Sequence, residues 1–263
     1  MNKKTIFFDV DNTLLGTRNG KRFCIPPSTL EALSLLKRNG HRVAIGSGRP
    51  ESFIRLHFPG IFTSYVAMNG SHVVFEGETV FLFEFSAEKV RSLMEHFDSF
   101  GCCYTFVGSY HGWPRNIPQN TLDTFGVNYG VPGYLCPAWR PEDVRASMLD
   151  FMFTDEEHYR RCRPAFDDTM VLNRNPALPA ADLSFKGRDK ASGVRALLRY
   201  AGIDPKDTIA FGDSYNDLTM MKAVGFSVAM GNGVDAAKQA ADYVTAPIFE
   251  DGIYKALKHL ELI

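Results

Sequence analysis

No stretch of this chain approaches the roughly 20 consecutive apolar residues that a membrane-crossing helix requires. The first apolar run follows Lys3 and Lys4 but is broken by Asp9 and Asp11, which excludes a signal peptide there. Charge of either sign is not in surplus: the net charge is -1. That balance offers no electrostatic reason to expect a nucleic acid or an anionic membrane as partner. Cysteines are few and irregularly spaced, at Cys24, Cys102, Cys103, Cys136 and Cys162, with no CxxC pair. The spacing supports neither a zinc site nor a disulfide framework, so reduced thiols in a cytoplasmic protein are expected. The seven histidines are scattered, and none is assigned to a metal. Internal repeats and low-complexity tracts are absent as well. What is present is an ordinary globular composition, 45% hydrophobic and 22% charged over 263 residues, enough for one large or two modest domains.

The most informative feature is the run Thr5-Ile6-Phe7-Phe8, which ends in Asp9-Val10-Asp11-Asn12-Thr13. A second run, Thr208-Ile209-Ala210-Phe211, ends in Gly212-Asp213-Ser214-Tyr215-Asn216-Asp217. Continuous apolar runs in a strand–helix alternation read as parallel strands covered on both faces. Between them, Pro26-Pro27-Ser28 opens a helix that stops at Asn39-Gly40. A strand at His41–Ile45 leads into Gly46-Ser47-Gly48-Arg49-Pro50 and a further helix to His57. Tyr65–Met68 reads as a short strand broken by Asn69-Gly70, and a hairpin follows around Glu76-Gly77-Glu78. From 86 to 184 the rhythm changes: a helix at Ala87–Phe100, a strand at Cys103–Val107, an irregular stretch from Gly108 to Gly133, a strand at Ser147–Phe153 and a helix near Asp155. Regular alternation resumes with a helix at Lys190–Tyr200 and continues to the end. The expected fold class is α/β, a doubly wound Rossmann-like parallel sheet core (1–85 and 185–263) with an inserted α+β domain (86–184).

In open parallel sheets, chemistry collects beyond the carboxyl ends of the strands. Strands ending in Asp9 and Asp213 would aim both carboxylates into one crevice. Like charges there call for a cation, and oxygen ligands select a hard ion such as Mg²⁺. Such a site suits an anionic substrate, most simply a phosphate. Phosphoryl transfer needs a nucleophile, charge neutralisation and a proton donor for the leaving oxygen. Asp9 can be the nucleophile and Asp11 the general acid and base, while Thr13 can bond the backbone and hold the turn. Ser47 and Gly48 supply a hydroxyl and an N–H before a helix start, a natural phosphate pocket. Lys190, Asp213, Asn216 and Asp217 complete the set, with Lys186 as a competitor for the lysine role.

These fragments, in this order, resemble the haloacid dehalogenase (HAD) superfamily of phosphatases. The insert between Ser47-Gly48 and Lys190, with Met68-Asn69-Gly70 before it, looks like that of the Cof-type IIB branch with a C2B cap. The endings Val228-Ala229-Met230-Gly231-Asn232 and Ala241-Asp242-Tyr243-Val244-Thr245 are similar to that branch too. Asn12 stands where many relatives carry glycine, and asparagine also tolerates positive φ. The resemblance implies Asp9 as nucleophile and magnesium ligand, Asp11 as acid/base and ligand through its carbonyl, and Asp213 as third ligand. Asp217 would support the metal's waters or Lys190. Thr13, Ser47, Gly48, Lys190 and Asn216 would hold the phosphoryl group or substrate. The implied enzyme is a Mg²⁺-dependent phosphatase of small phosphorylated metabolites, hexose phosphates above all, working through an aspartyl-phosphate as a monomer or weak homodimer. A phosphomutase or a nucleotide or cofactor phosphatase would share the site, and a phospho-accepting signalling domain is the alternative of a different class. Relatives use the cap to choose the leaving group, and Tyr104, His111, Trp113 and Arg115 are its candidates for meeting a sugar.

Overall fold

Thr5–Phe8 (β1) is buried along its whole length, as an unbroken apolar run flanked by strands on both sides should be. The computed structural model describes residues 3–163, 169–174 and 179–263, apart from the side chains of Asn120, Thr124 and Phe125. In chain order, Gly16–Arg18 (β2) and Lys21–Cys24 (β3) form a polar hairpin. Pro27–Arg38 (α1), Arg42–Gly46 (β4), Glu51–His57 (α2) and Tyr65–Ala67 (β5) follow. The hairpin His72–Phe75 (β6) and Glu78–Leu82 (β7) turns at Glu76 and Gly77, both at positive φ, the backbone that matches strand twist.

Next come Ala87–Ser99 (α3), Cys103–Val107 (β8), Gly112–Arg115 (β9), Gln119–Tyr129 (α4), Met148–Met152 (β10), Glu156–Cys162 (α5), Met170–Arg174 (β11) and Ala180–Phe185 (β12). The chain closes with Lys190–Ala201 (α6), Thr208–Gly212 (β13), Leu218–Met221 (α7), Phe226–Ala229 (β14), Asp235–Ala240 (α8), Tyr243–Val244 (β15) and Gly252–His259 (α9).

These elements form two compact units, Met1–Arg49 with His57–Leu82 and Asp189–Ile263, and Pro50–Leu56 with Phe83–Arg188. In the described residues of the first, one sheet runs β15-β14-β13-β1-β4-β5-β6-β7. It is parallel from β15 to β5, and β6 and β7 add an antiparallel edge. Phe7, Ala44, Val66 and Ala210 share one face and pack with Val194, Leu197 and Leu198 of α6 and Met220 of α7. Phe8 and Phe211, one position along, point to the other face and stack at 5.0 Å. Each fully buried phenylalanine contributes roughly 1.5–3 kcal/mol. Helix α1 packs on β4 and against α9. This is the expected α/β sheet, with an antiparallel edge as an addition.

The second unit is built on the antiparallel sheet β11-β12-β10-β8-β9. Tyr104, Phe106, Leu149, Phe151, Ala181 and Leu183 line one face and form a core with Val90, Leu93 and Phe97 of α3 and Cys162 of α5. The Gly108–Gly133 stretch, expected to be irregular, contains β9 and α4. Pro114 is accommodated because β9 is an edge strand. Helix α4 begins after Pro118 and ends at Gly130 in the left-handed region, signals that merge into the surrounding turn residues. No described helix is long and apolar enough to cross a membrane.

Candidate active site

The register Phe8↔Phe211 brings β1 and β13 out of the sheet side by side, so Asp9 and Asp213 emerge at the same rim. The Asp9 amide donates to the Phe211 carbonyl at 2.9 Å, which carries the pairing one step beyond the strand. Oxygens of Asp9, Asp213 and Asp217 all lie within 4.8 Å of one another, and all three residues are buried. Between them sits Lys190, the first residue of α6, fully buried despite its length. Its Nζ donates to Asp9 Oδ1 at 2.5 Å and to Asp217 Oδ1 at 2.6 Å. The preceding residue, Asp189, caps α6 by accepting from the Ser192 amide, which fixes where the helix and its lysine begin.

Asp217 has a second task. Its Oδ2 accepts from the amides of Asp213 and Ser214, both at 2.9 Å, and so shapes the turn that carries Asp213. Glycine is required at 212 for the same reason: a Cβ there would come within 2.6 Å of the Asp217 side chain. The Thr13 hydroxyl donates to Asp213 Oδ1 at 3.0 Å, where a backbone partner had been expected.

Asp11 faces differently. Its carboxylate is half exposed and gripped by Arg49, Nε to Oδ2 at 2.8 Å and Nη2 to Oδ1 at 2.7 Å. Ser47 is buried and its hydroxyl accepts from the Arg49 amide at 3.1 Å, while Gly48 passes close to the Asn69 side chain. Asn216 is exposed and its Oδ1 accepts from the Ser214 hydroxyl at 2.8 Å. Lys186, the competitor, lies at the end of β12 in the second unit.

Two residues quoted in the motifs without a role have one here. Arg49 orients Asp11, and a cation directly after a small-residue strand end was its available signal. Asn232 ties three segments: its Nδ2 donates to the Asn12 carbonyl and its Oδ1 accepts from the Ile248 amide, each at 2.8 Å. Nothing in the local pattern around Asn232 announces that.

Electrostatics follow from this crowding. Burial, then Asp217, pushes the Asp9 carboxyl well above the usual range, against the pull of Lys190. Burial and Asp217 likewise push Asp213 up to about 7, against its bond from Thr13. Burial alone would lower Lys190, but the Asp217 and Asp9 carboxylates outweigh it and raise the ammonium above its ordinary value. One buried ammonium among three buried carboxylates leaves excess negative charge in an all-oxygen cluster. That donor set fits a hard divalent cation.

The candidates in the second unit fare unevenly. Trp113 and Tyr104 belong to its core, and the Tyr104 hydroxyl donates to Asp98. Arg115 is paired with the same Asp98 at 2.7 Å. These three are therefore occupied in packing the unit, whereas His111 is exposed. A cavity of about 500 Å³ opens in this unit, lined by Leu122, Val127, Tyr134 and Leu135 among others. It shares no residue with the acidic cluster, and those walls offer nothing to a phosphate.

Residues 6–257 match the family model of the haloacid dehalogenase-like hydrolases. The chain belongs to that family. It is 32% identical to the protein YkrA of Bacillus subtilis (strain 168), with all of both chains covered. It is 28% identical to the 5-amino-6-(5-phospho-D-ribitylamino)uracil phosphatase YitU of the same organism, over 96% of each chain. Among solved structures, the HAD subclass IIB sugar phosphatase BT4131 superposes with a TM-score of 0.82 at 30% identity, covering 99% of this chain and 100% of that one. This HAD-family chain is a phosphoric monoester hydrolase of the Cof-type, subclass IIB group.

Proposed function

We propose that the chain hydrolyses small phosphorylated metabolites, sugar phosphates foremost, through an aspartyl-phosphate formed on Asp9 with Mg²⁺ bound beside it. The observation that carries this reading is the convergence of Asp9, Asp213 and Asp217 beyond the ends of β1 and β13, with Lys190 bonded to Asp9 and Asp217. Asp9 and Asp213, with the Asp11 carbonyl, would hold the ion. Both oxygens of Asp217 are engaged by Lys190 and two amides, which suits it to support rather than ligation. The cation would supply charge neutralisation for the phosphoryl oxygens.

The chain's own residues account for the rest. Asp9 attacks phosphorus, and Asp11, released from its ion pair with Arg49 and taking up a proton from solvent as substrate binds, gives that proton to the leaving alcohol and then takes one from the attacking water. Lys190 offsets negative charge and keeps Asp9 in line. Ser47, Gly48 and Asn216 hold the phosphoryl oxygens, and Thr13 steadies Asp213. The core recognises only the phosphoryl group, so the insert at 86–184 selects the leaving group. Sugar phosphates are favoured by the subclass IIB sugar phosphatase relative. The aminouracil phosphatase relatives, 28% identical, support a phosphorylated cofactor precursor as second reading.

A phosphate-release screen over sugar, nucleotide and vitamin-precursor phosphates tests the substrate class, with Asp9→Asn as the mechanistic control. The variant should fold as the wild type and lose turnover on every substrate, because the amide is nearly isosteric but far less nucleophilic. Near wild-type release by Asp9→Asn would exclude the aspartyl-phosphate route.

A further inference from the structure

In the second unit, and outside the acidic cluster, Cys102 meets His158 and Cys162, which lie 56 and 60 positions further along the chain. The two sulfurs lie 3.0 Å apart, and Cys102 Sγ is 3.3 Å from His158 Nε2. All three potential ligand atoms fall within 4.8 Å of one another. We propose that these residues form a binding site for a thiophilic d¹⁰ cation, Zn²⁺ in the first place, that clamps α5 to the start of β8.

The backbone prepares this arrangement. His158 and Cys162 stand four residues apart on α5, so their side chains share one helix face a turn apart. Asp155 caps that helix by accepting from the His158 amide at 2.8 Å, which sets the height of the imidazole. Cys102 is pinned from the other side. Its amide donates to the Phe97 carbonyl at 3.0 Å, and its carbonyl accepts from Asn116 Nδ2 at 3.1 Å. Both cysteines are fully buried within the apolar core of the unit, while His158 is only partly buried and provides a route in from solvent.

The donor set is sulfur and nitrogen, with no carboxylate among the three ligand atoms, which selects Zn²⁺ over Mg²⁺ or Ca²⁺. Burial first, then the contact with Cys162, makes the Cys102 thiol hard to ionise in the metal-free state. A divalent ion reverses that: both thiols release a proton to solvent, and two thiolates balance the ion's two charges. The bound site is then neutral, as an apolar core demands. The ring stays neutral as well. Without metal, Nδ1 accepts from the Thr154 amide at 3.2 Å, leaving the Nε2 proton to face the Cys102 sulfur. On binding, the ring proton moves from Nε2 to Nδ1; the Thr154 amide gives up its bond to that nitrogen and turns to solvent, and Thr154 Oγ1 at 3.2 Å accepts the Nδ1 proton instead. That hydroxyl in turn donates to Asp155 Oδ2 at 3.0 Å, the outer partner a metal-bound imidazole commonly has. Water from the His158 side fills the fourth position.

The test uses the full-length reduced protein, stripped of transition metals and kept in excess Mg²⁺ to occupy the acidic cluster. Co²⁺ serves as probe, because thiolate-to-cobalt absorption in the near ultraviolet cannot arise from oxygen ligands. The expected result is saturation at about one equivalent, displacement by Zn²⁺ and release of about two protons per ion. Cys102→Ala and Cys162→Ala should each abolish the band, with an unchanged rate of phosphate release reporting that the chain is folded. His158→Gln, which leaves the core untouched, should weaken binding about tenfold or more. The proposal is overturned if wild type gives no band while its thiols are reduced, or if the band persists in Cys162→Ala. It is also overturned if the protein instead isolates with a Cys102–Cys162 disulfide and binds no Co²⁺ after reduction.

Discussion

At the scale of single residues, Lys190 decides how the acidic cluster can exist at all. Three buried carboxylates within reach of one another would repel strongly in a low-dielectric site, and the ammonium at 2.5 and 2.6 Å offsets two of them. Lys190→Met is expected to cost about 3–5 kcal/mol of stability at neutral pH, the usual penalty for leaving one side of a buried pair uncompensated. Denaturant unfolding in metal-free buffer measures this. The deficit should shrink as pH falls, because Asp9 and Asp213 already hold their protons more tightly than ordinary carboxyls. Unchanged stability would mean that Lys190 does not neutralise the cluster. The position of this lysine was readable as a helix start. Its burial was not, since a lysine at that place is ordinarily exposed.

At the scale of elements, the antiparallel register of the second unit creates a second acidic pair. Thr105, Asp150, Asp182 and Asn173 lie opposite one another across β8, β10, β12 and β11. Period-two alternation puts this row on the face away from Leu149, Phe151 and Leu183. Burial, and then Asp150, raises the Asp182 carboxyl to about 8, so the two acids share a proton at neutral pH. The sign follows directly. Between pH 4 and 8 the folded chain holds a proton that the unfolded chain has released, so stability falls as pH rises through that window. Asp182→Asn replaces the shared proton with an amide N–H. The variant should match wild type near pH 5 and exceed it by about 1 kcal/mol or more near pH 9. Unfolding curves across that range check it, and parallel pH profiles would refute the shared proton. No inspection of Asp150 and Asp182 as sequence positions pairs them, because only strand register does.

At the scale of the whole molecule, a divalent cation bound as proposed at the acidic cluster would couple stability to metal. A ligand that binds only the folded state stabilises by about 2.7 kcal/mol at a hundred times its dissociation constant. Saturating Mg²⁺ should therefore raise the melting temperature, EDTA should lower it and abolish phosphate release, and Asp213→Ala should remove most of the thermal effect. Calorimetry with and without Mg²⁺ is the measurement. Equal melting temperatures in wild type would argue that the cluster binds no cation.

The sequence by itself determined the α/β core and the order of its strands' chemistry. Thr5–Phe8 and Thr208–Phe211 are too continuously apolar to be anything but covered strands, and acids at the ends of such strands have one rim to occupy. The same local logic placed α1, β4, α6 and their stops, because caps, prolines and glycines act on their nearest neighbours. Tertiary structure alone decided the rest. It put Arg49 on Asp11, turned Thr13 toward Asp213, used both oxygens of Asp217, and buried Trp113 and Tyr104 in a core. It assembled Cys102 with His158 and Cys162 although their spacing matches no metal motif. It also found β9 and α4 inside a stretch of turn-forming residues. The division has a physical cause. Propensity and capping are interactions between residues a few positions apart, whereas side-chain pairing across strands and helices depends on packing contacts that no local pattern encodes.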